Sequence, residues 1–563
     1  MHTLRRIRGK GVINAHSLIQ SLFDEKMSDA KPSDIHELEK STTPQVNKIN
    51  DLAEQAAADE HQLSVRDALR RYPKAVLWSV LVSTAIIMEG YDIVLIGSFF
   101  GLPSFTKKYG TFLNNTSGYQ ISAPWQAGLS NGTSIGTFIG SMLNGYFVFK
   151  FGYRKTLLFS LCLIVGFIFI PFFAPSLPVL LLGQILCGIP WGVFATMAPA
   201  YASEVCPMAL RAYLTVYVNL CWAFGQLIAA GVLSGFSGVT TQWAYRIPFA
   251  IQWVWPIPLF IILFFAPESP YYYVRRGEIE KAEQSVRRLT SANYQHLASQ
   301  TVAMMIHTNE LEIRIDAGTR YLDCFRGIDR RRTEIVCMAF LAQPFCGSAM
   351  GGTPTYFFLQ AGLPTSISFK MSVGGLGLAS VGTLISWRLL HMFGRRTLYV
   401  VGLGSLAILL WIVGFISVGA GKSEAGYYSQ AALMLLWLFV YYMTVGPICY
   451  AIIGEIPSTR LRNKSISLAR SSYYIGQIIC NVVNPYMLSP TEGDWKGKTG
   501  FVWGSCAFAF FLWSWFRLPE SSGRTFEELD ILFAQRIDAR KFAKTDVNPY
   551  ARNHEAVHES FKE

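Results

Sequence analysis

Charge is what this chain has least of: only 15% of its 563 residues are Asp, Glu, Lys or Arg, against about 25% in average proteins. With 51% hydrophobic residues and a mean hydropathy of +0.29, that deficit excludes a soluble enzyme and a nucleic-acid-binding domain. No His/Cys grouping has metal-ligand spacing, and no nucleophile–base pair stands out, so neither a metal, a cofactor nor catalysis is expected. None of the ten cysteines falls in a connector placed outside, which leaves no disulfide framework. Residues 1–74 are polar and lack the apolar core of a signal peptide. Met27 opens a Ser/Asp/Pro segment that would also serve as a start.

What the chain has in abundance is long apolar runs. About twelve follow one another, at roughly 75–98, 124–148, 155–174, 178–200, 211–236, 243–266, 335–359, 369–390, 396–418, 428–453, 466–490 and 498–518. Each is long enough to cross about 30 Å of hydrocarbon as a helix. The expected fold class is therefore an all-α polytopic membrane protein embedded in the lipid bilayer. Eleven Lys and Arg crowd into 267–334, whereas the connectors placed outside carry few, such as Lys107, Lys108, Lys370 and Lys422. That asymmetry puts both termini and the central loop in the cytosol and accounts for the net charge of +12 without an acidic partner. The expected divisions are a cytosolic tail (1–74), a six-helix half (75–266), a central loop with short helices (267–334), a second six-helix half (335–518) and a second tail (519–563). Two overlapping sequons, at Asn114 and Asn115, mark the first outer connector as a candidate glycosylation site, with Asn114 the chosen acceptor.

The chain also echoes itself. Ala-Pro-Glu-Ser at 266–269 returns as Leu-Pro-Glu-Ser at 518–521. Glu204 and Arg211 return as Glu455 and Arg462, and Phe-Gly-Tyr-Arg-Lys at 151–155 returns as Phe-Gly-Arg-Arg-Thr at 393–397. Three echoes in one order mean two homologous halves, the parallel-repeat pattern of the major facilitator architecture, with a substrate site between the halves. Arg154, Glu204 and Arg211 in one half, and Arg395, Glu455 and Arg462 in the other, sit near expected cytosolic helix ends. Carboxylate–guanidinium pairs there would hold an inner mouth shut and part as it opens.

Two acids interrupt the first apolar run. Glu89 and Asp92 lie inside it, where a charge costs at least ~2.5 kcal/mol, so a proton-carrying role is expected for both. About seventeen residues from Ala75 to Asp92 carry no acid or base but Glu89 and Asp92 themselves, which places Asp92 deep.

Met-Glu-Gly-Tyr-Asp (88–92), Gly-Gln-Ile-Leu-Cys-Gly-Ile-Pro-Trp-Gly-Val-Phe (183–194) and Tyr-Ala-Ser-Glu-Val-Cys-Pro-Met-Ala-Leu-Arg (201–211) resemble the sugar porter family. Glu-Ile-Pro-Ser-Thr-Arg-Leu-Arg (455–462), Asn-Pro-Tyr-Met-Leu (484–488) and Pro-Glu-Ser-Ser-Gly-Arg-Thr-Phe-Glu-Glu-Leu-Asp (519–530) agree, and over about 65–535 the chain most resembles the fungal α-glucoside permeases. That resemblance implies a substrate site of amides and aromatics. Asn219 and Gln226 match sugar-binding amides, Gln343 matches the first residue of a Gln-Gln motif, Tyr450 stands for a tryptophan, and Tyr473 and Tyr474 occupy aligned positions. Asn481 and Asn484 are further candidates for the cavity wall. Arg470 aligns with a family arginine and is the expected countercharge of the acids. Several positions depart from the pattern. Thr137 replaces a glutamate, Pro344 and Ala349 replace an amide each, and Phe149 and His391 stand where loop aspartates are usual. The resemblance implies a plasma-membrane permease, expected to act as a monomer, that imports a maltose-like disaccharide with H+. A proton-independent facilitator of hexoses or polyols, favoured by Thr137, is one alternative; a nutrient receptor that does not transport is another.

Overall fold

The computed structural model describes residues 59, 63–114, 118–316, 320–352, 354–420, 423–458, 461–522, 524 and 526–545, with the side chains of 114, 208, 211, 212, 215, 216, 310–316, 391, 463, 526 and 527 excepted. The first 58 residues, with Met27 and most of the N-terminal tail, lie outside the described residues.

Among the described residues, ten helices are long and apolar enough to cross a membrane. They are span 1 (Pro73–Phe99), span 3 (Tyr153–Phe173), span 4 (Leu177–Val205), span 5 (Tyr217–Phe236, within a helix that begins at Met208), span 6 (Trp243–Phe264), span 7 (Gly327–Gly351), span 8 (Thr365–Leu390), span 9 (Arg395–Gly419), span 10 (Glu424–Glu455) and span 12 (Lys496–Arg517). Two more long helices complete the expected twelve: span 2 (Ala123–Phe151) and span 11 (Arg462–Leu488). These two are less apolar because they face each other across the interior and carry polar residues there. Proline at the first or second helical position (Pro73, Pro124, Pro178) presets the backbone where an N–H has no helical partner.

The spans pair within each half. Span 2 lies on span 4 and span 1 on span 5; span 9 lies on span 12 and span 8 on span 10. The span 2–4 contact is close because Gly136 and Gly140 meet the backbone of Ile185 and Ile189, while Gly188 and Gly192 meet that of Thr133 and Thr137. Such small-residue seams let membrane helices approach backbone to backbone. The halves meet along spans 5 and 8 and along spans 2 and 11.

Spans 1 and 3 are interrupted by one residue each, Thr84 and Ile168, and three other spans change their helical course. Span 6 tightens to a 3₁₀ turn at Gln252–Val254. Span 7 widens at Pro344–Ser348, where Gly347 has φ 104°, and resumes at Pro354–Ala361. Span 10 breaks at Thr444, just before Gly446 and Pro447. Breaks of this kind survive in a membrane only against protein or a water-filled cavity.

One end of the bundle carries a short hairpin (Thr111–Asn114 with Gly118–Gln120) and is called the hairpin end here. The other carries the central helices Pro270–Arg275, Ile279–Leu289 and Ala298–Asp316, the loop end. At the hairpin end one apolar core runs through both halves, joining Leu95, Phe99 and Leu102 to Tyr356, Phe357 and Phe358. Toward the loop end the first half has a separate core around Leu157, Trp191 and Met197.

Candidate functional site

Between the halves lies a cavity of about 260 Å³. Spans 1, 2 and 5 supply Glu89, Asp92, Ser130, Thr133, Ser134, Thr137, Asn219, Trp222 and Gln226; spans 7, 10 and 11 supply Gln343, Tyr441, Tyr442, Tyr450, Arg470, Tyr473, Tyr474, Gln477 and Asn481. The first wall is short hydroxyls and amides with two carboxylates and an indole, the second is mostly phenols with one guanidinium. All ten residues expected to bind substrate or carry protons thus reach one wall or the other. Asn484 does not: its amide donates to the Ala349 carbonyl at 3.1 Å and accepts from the Trp503 indole at 3.2 Å.

Some of these side chains are already engaged. Gln343 donates to the Cys449 thiol at 2.8 Å and accepts from the Tyr441 hydroxyl at 3.1 Å, so both ends of its amide are tied to span 10. Tyr442 donates to Gln226 Oε1 at 2.8 Å, a bond between the halves. Gln477 donates to Asn481 at 3.0 Å. Arg470 lies 5.3 Å from the ring centres of both Phe340 and Tyr450, a cation held on aromatic faces rather than in a carboxylate fork. Asp92 is 2% exposed, and its Oδ1 accepts from Gln252 Nε2 at 2.7 Å. Thr137 spends its hydroxyl on the Thr133 carbonyl, and Thr133 donates to the buried Gln184.

Gln477, Tyr441, Tyr442 and Trp222 were missed in the sequence. Gln477 was within reach of simple helical spacing, because it sits midway between Tyr473 and Asn481 at intervals of four. The tyrosines precede the span 10 break, whose geometry no periodicity reveals.

At the loop end the sequence echoes become a repeated structure. In the first half Glu268 accepts from the backbone N–H groups of Tyr153 and Arg154, at 2.8 and 3.1 Å. In the second Glu520 accepts from those of Arg395 and Arg396, at 2.7 and 3.1 Å. Each carboxylate thereby caps the N-terminus of span 3 or span 9, where the helix dipole favours an anion. Burial pushes the Glu268 carboxyl above the ordinary range, against the N–H donors that hold it down. Ser269 donates to Glu204, and Ser521 donates to Glu455 at 2.7 Å.

The guanidinium partners differ between the halves. Arg395 pairs with Glu455 at 2.9 Å, but Glu204 pairs with Arg275 of the first central helix, also at 2.9 Å. Aligning the echoes places Tyr153, not Arg154, opposite Arg395, so the first half has no cation at that position and takes one from Arg275. Arg154 instead stacks over Phe264 at 5.1 Å, much as Arg396 stacks over Trp515 at 5.6 Å. Arg462 begins span 11, near Asp530. The side chains of Arg211 and Asn114 lie outside those described. Among the described residues, the ion pairs at this end join elements of one half to each other or to the central helices and the C-terminal segment.

A bundle of two six-helix halves around a central polar cavity is the major facilitator fold, and it defines a multi-pass membrane transporter rather than an enzyme. A family model described as "Sugar (and other) transporter" matches residues 78–533, and the chain belongs to that family. It is 39% identical over 539 residues to the maltose permease MAL31 of Saccharomyces cerevisiae, covering 95% of this chain and 84% of that protein. It is 38% identical over 518 residues to a general alpha-glucoside permease of the same organism, covering 90% and 83%. Among solved structures, the xylose transporter XylE from E. coli in a partially occluded inward open conformation matches with a TM-score of 0.67 at 20% identity, over 80% of this chain and all of that one. The proton:xylose symporter XylE bound to 6-bromo-6-deoxy-D-glucose matches with a TM-score of 0.65 at 21% identity, over 82% and 99%. At these identities the likeness is one of fold.

Proposed function

We propose that this protein is a proton symporter that imports an α-glucoside disaccharide by alternating access. One observation carries the reading: a single interior cavity brings two carboxylates, Glu89 and Asp92, and one guanidinium, Arg470, against a wall of amides and phenols. Amides match sugar hydroxyls, aromatic rings match the C–H faces of a pyranose, and titratable acids supply the proton site. The permease names of its relatives favour maltose-like substrates. In this reading the chain works as a monomer in the plasma membrane, with both termini and the central helices cytosolic and Asn114 on the outer face. Arg154, Glu204, Arg211, Arg395, Glu455 and Arg462 belong to its inner gate.

Coupling matters energetically. One proton entering across ~150 mV gains roughly 3.5 kcal/mol, and two pH units add about 2.7 kcal/mol. Together they support accumulation on the order of 10⁴-fold, where a uniporter reaches only equality. Thr137 favours the second reading, a proton-independent facilitator, because it supplies a hydroxyl where symporters of the resembling group carry a third acid.

The test is external pH in a weakly buffered suspension of cells that lack other sugar carriers and express this chain. Maltose, trehalose, sucrose and glucose are added in turn. Alkalinisation with an α-glucoside, abolished by Asp92→Asn, is the expected result. Uptake of labelled sugar with no pH change defeats the coupling and leaves the facilitator.

A further inference from the structure

The break in span 6 is built around Asp92. Pro248 and Pro256 bracket the 3₁₀ turn at Gln252–Val254. Because that turn tightens, the Gln252 backbone N–H reaches the carbonyls of Phe249 and Ala250 instead of the Pro248 carbonyl four residues back. A carbonyl left without its helical donor inside a membrane must find another. The Pro248 carbonyl finds it on span 1: the Tyr91 hydroxyl donates to it at 2.9 Å. The next residue on span 1, Asp92, receives the Gln252 side chain at 2.7 Å. Two consecutive residues of span 1 are thus fastened to two ends of one broken turn. Gln252 is 2% exposed and is not part of the cavity wall, whereas Asp92 is. The amide therefore stands behind the carboxylate, away from the substrate.

We propose that Gln252 is the positioning residue of the proton site, holding Asp92 Oδ1 so that Oδ2 is the oxygen that takes up and gives up the proton. This rests on the reading of the protein as a proton symporter. Oδ2 is buried and accepts no hydrogen bond of ordinary geometry from the described residues, the Trp191 indole being the other donor close to the carboxylate. A carboxamide N–H bound to Oδ1 stabilises the carboxylate more than the neutral acid, because charge-assisted hydrogen bonds are the stronger ones. The amide thereby limits how tightly the proton is held and lets it leave on the far side. The other titratable groups around Asp92 are Glu89 and Tyr91 on its own helix and Cys187 on span 4, with the Trp191 indole beside them. Span 2 faces the same region with the neutral hydroxyls of Thr133 and Thr137, and Arg470 lies across the cavity on span 11.

The experiment is the pH profile of labelled maltose uptake, with surface expression measured in parallel, for the wild type, Gln252→Leu and Gln252→Glu. Without the donor, Asp92 keeps its proton to higher pH. The alkaline limb of uptake is expected to move up by about one pH unit in the Leu variant. Proton release slows in the same variant, so maximal uptake falls several-fold while KM for sugar stays within about twofold, since Gln252 does not line the cavity. Gln252→Glu keeps size and shape but sets a second acid against the first, and moves the limb further the same way. It serves as the informative variant where the Leu change prevents surface delivery. Wild-type coupling with unmoved limbs in the variants that reach the surface overturns the role given to Gln252 and leaves the symport reading standing. Uptake by the wild type without proton movement overturns both.

Discussion

The hydroxyl of Tyr442 crosses the cavity to Gln226, so a sugar hydroxyl that donates to Gln226 Oε1 competes with a bond between the two halves. Binding and opening are linked at that atom, since the substrate replaces a contact that helps hold this arrangement. A neutral hydrogen bond of this kind is worth roughly 0.5–1.5 kcal/mol net. Tyr442→Phe removes the competitor and leaves the ring, and KM for the transported sugar is expected to fall by about 2- to 10-fold. Initial-rate uptake over a range of sugar concentrations measures it; a rise in KM instead makes Tyr442 a direct sugar contact. Gln343 is in a different position, because Tyr441 and Cys449 already satisfy both ends of its amide. It shapes the wall as a fixed part of span 10's partner surface.

At the scale of elements, the repeated caps of spans 3 and 9 give a glycine and a carboxylate one shared fate. A Cβ on Gly394 comes within 2.0 Å of Glu520 Oε2, and one on Gly152 within 2.5 Å of Glu268 Oε2. Gly394→Ala therefore expels the same carboxylate that Glu520→Ala deletes. Each is expected to cost about 2–4 kcal/mol, from two charge-assisted bonds and a helix N-terminus left uncapped. The double variant costs little more than either alone, because both remove one interaction. Thermal unfolding of detergent-solubilised protein reads all three; additive losses sever the link between the two residues.

These caps also mark where the sequence was legible. The echoes at 151–155, 204–211 and 266–269 were visible as strings, and the helix caps and serine–carboxylate bonds formed by Glu268, Glu520, Glu204 and Glu455 match because the same local chemistry recurs in each half. The seven amides and phenols expected at the cavity were legible through motif positions. Arg275 was not, because its partner Glu204 lacks a cation at Tyr153 and draws one from a segment that the echo does not reach. Nor was Gln252, which reads in the chain as one polar residue in an apolar run. Its role emerges only from a 3₁₀ turn that turns it toward Asp92. Spans 2 and 11 fall below the hydropathy of a membrane helix because each spends a face on the cavity.

For the whole molecule, the bonds between halves lie at mid-depth or nearer the hairpin end among the described residues. Ser98 meets Thr355, Gln126 meets Tyr356 at 3.1 Å, Asn131 meets the Ile478 carbonyl at 3.4 Å, and Tyr442 meets Gln226. The first half joins the apolar core of the second at that end too, through Leu95, Phe99 and Leu102. Alternating access requires this end to part in the other half of the cycle, which breaks all the contacts nearest the surface at once. Ser98 and Thr355 have short side chains with oxygens 3.5 Å apart and are each 1% exposed, a separation that thiols can close to a disulfide. The pair Ser98→Cys with Thr355→Cys is expected to lose more than nine-tenths of its uptake on oxidation and to regain it with a reductant. Neither single variant loses uptake, and the wild type treated alike controls for its own ten cysteines. Mass spectrometry of the linked peptide establishes that the bond has formed. Full uptake with the bond in place means that sugar crosses without the hairpin end opening, and a rocking of two halves about the cavity is then the wrong mechanism for this chain.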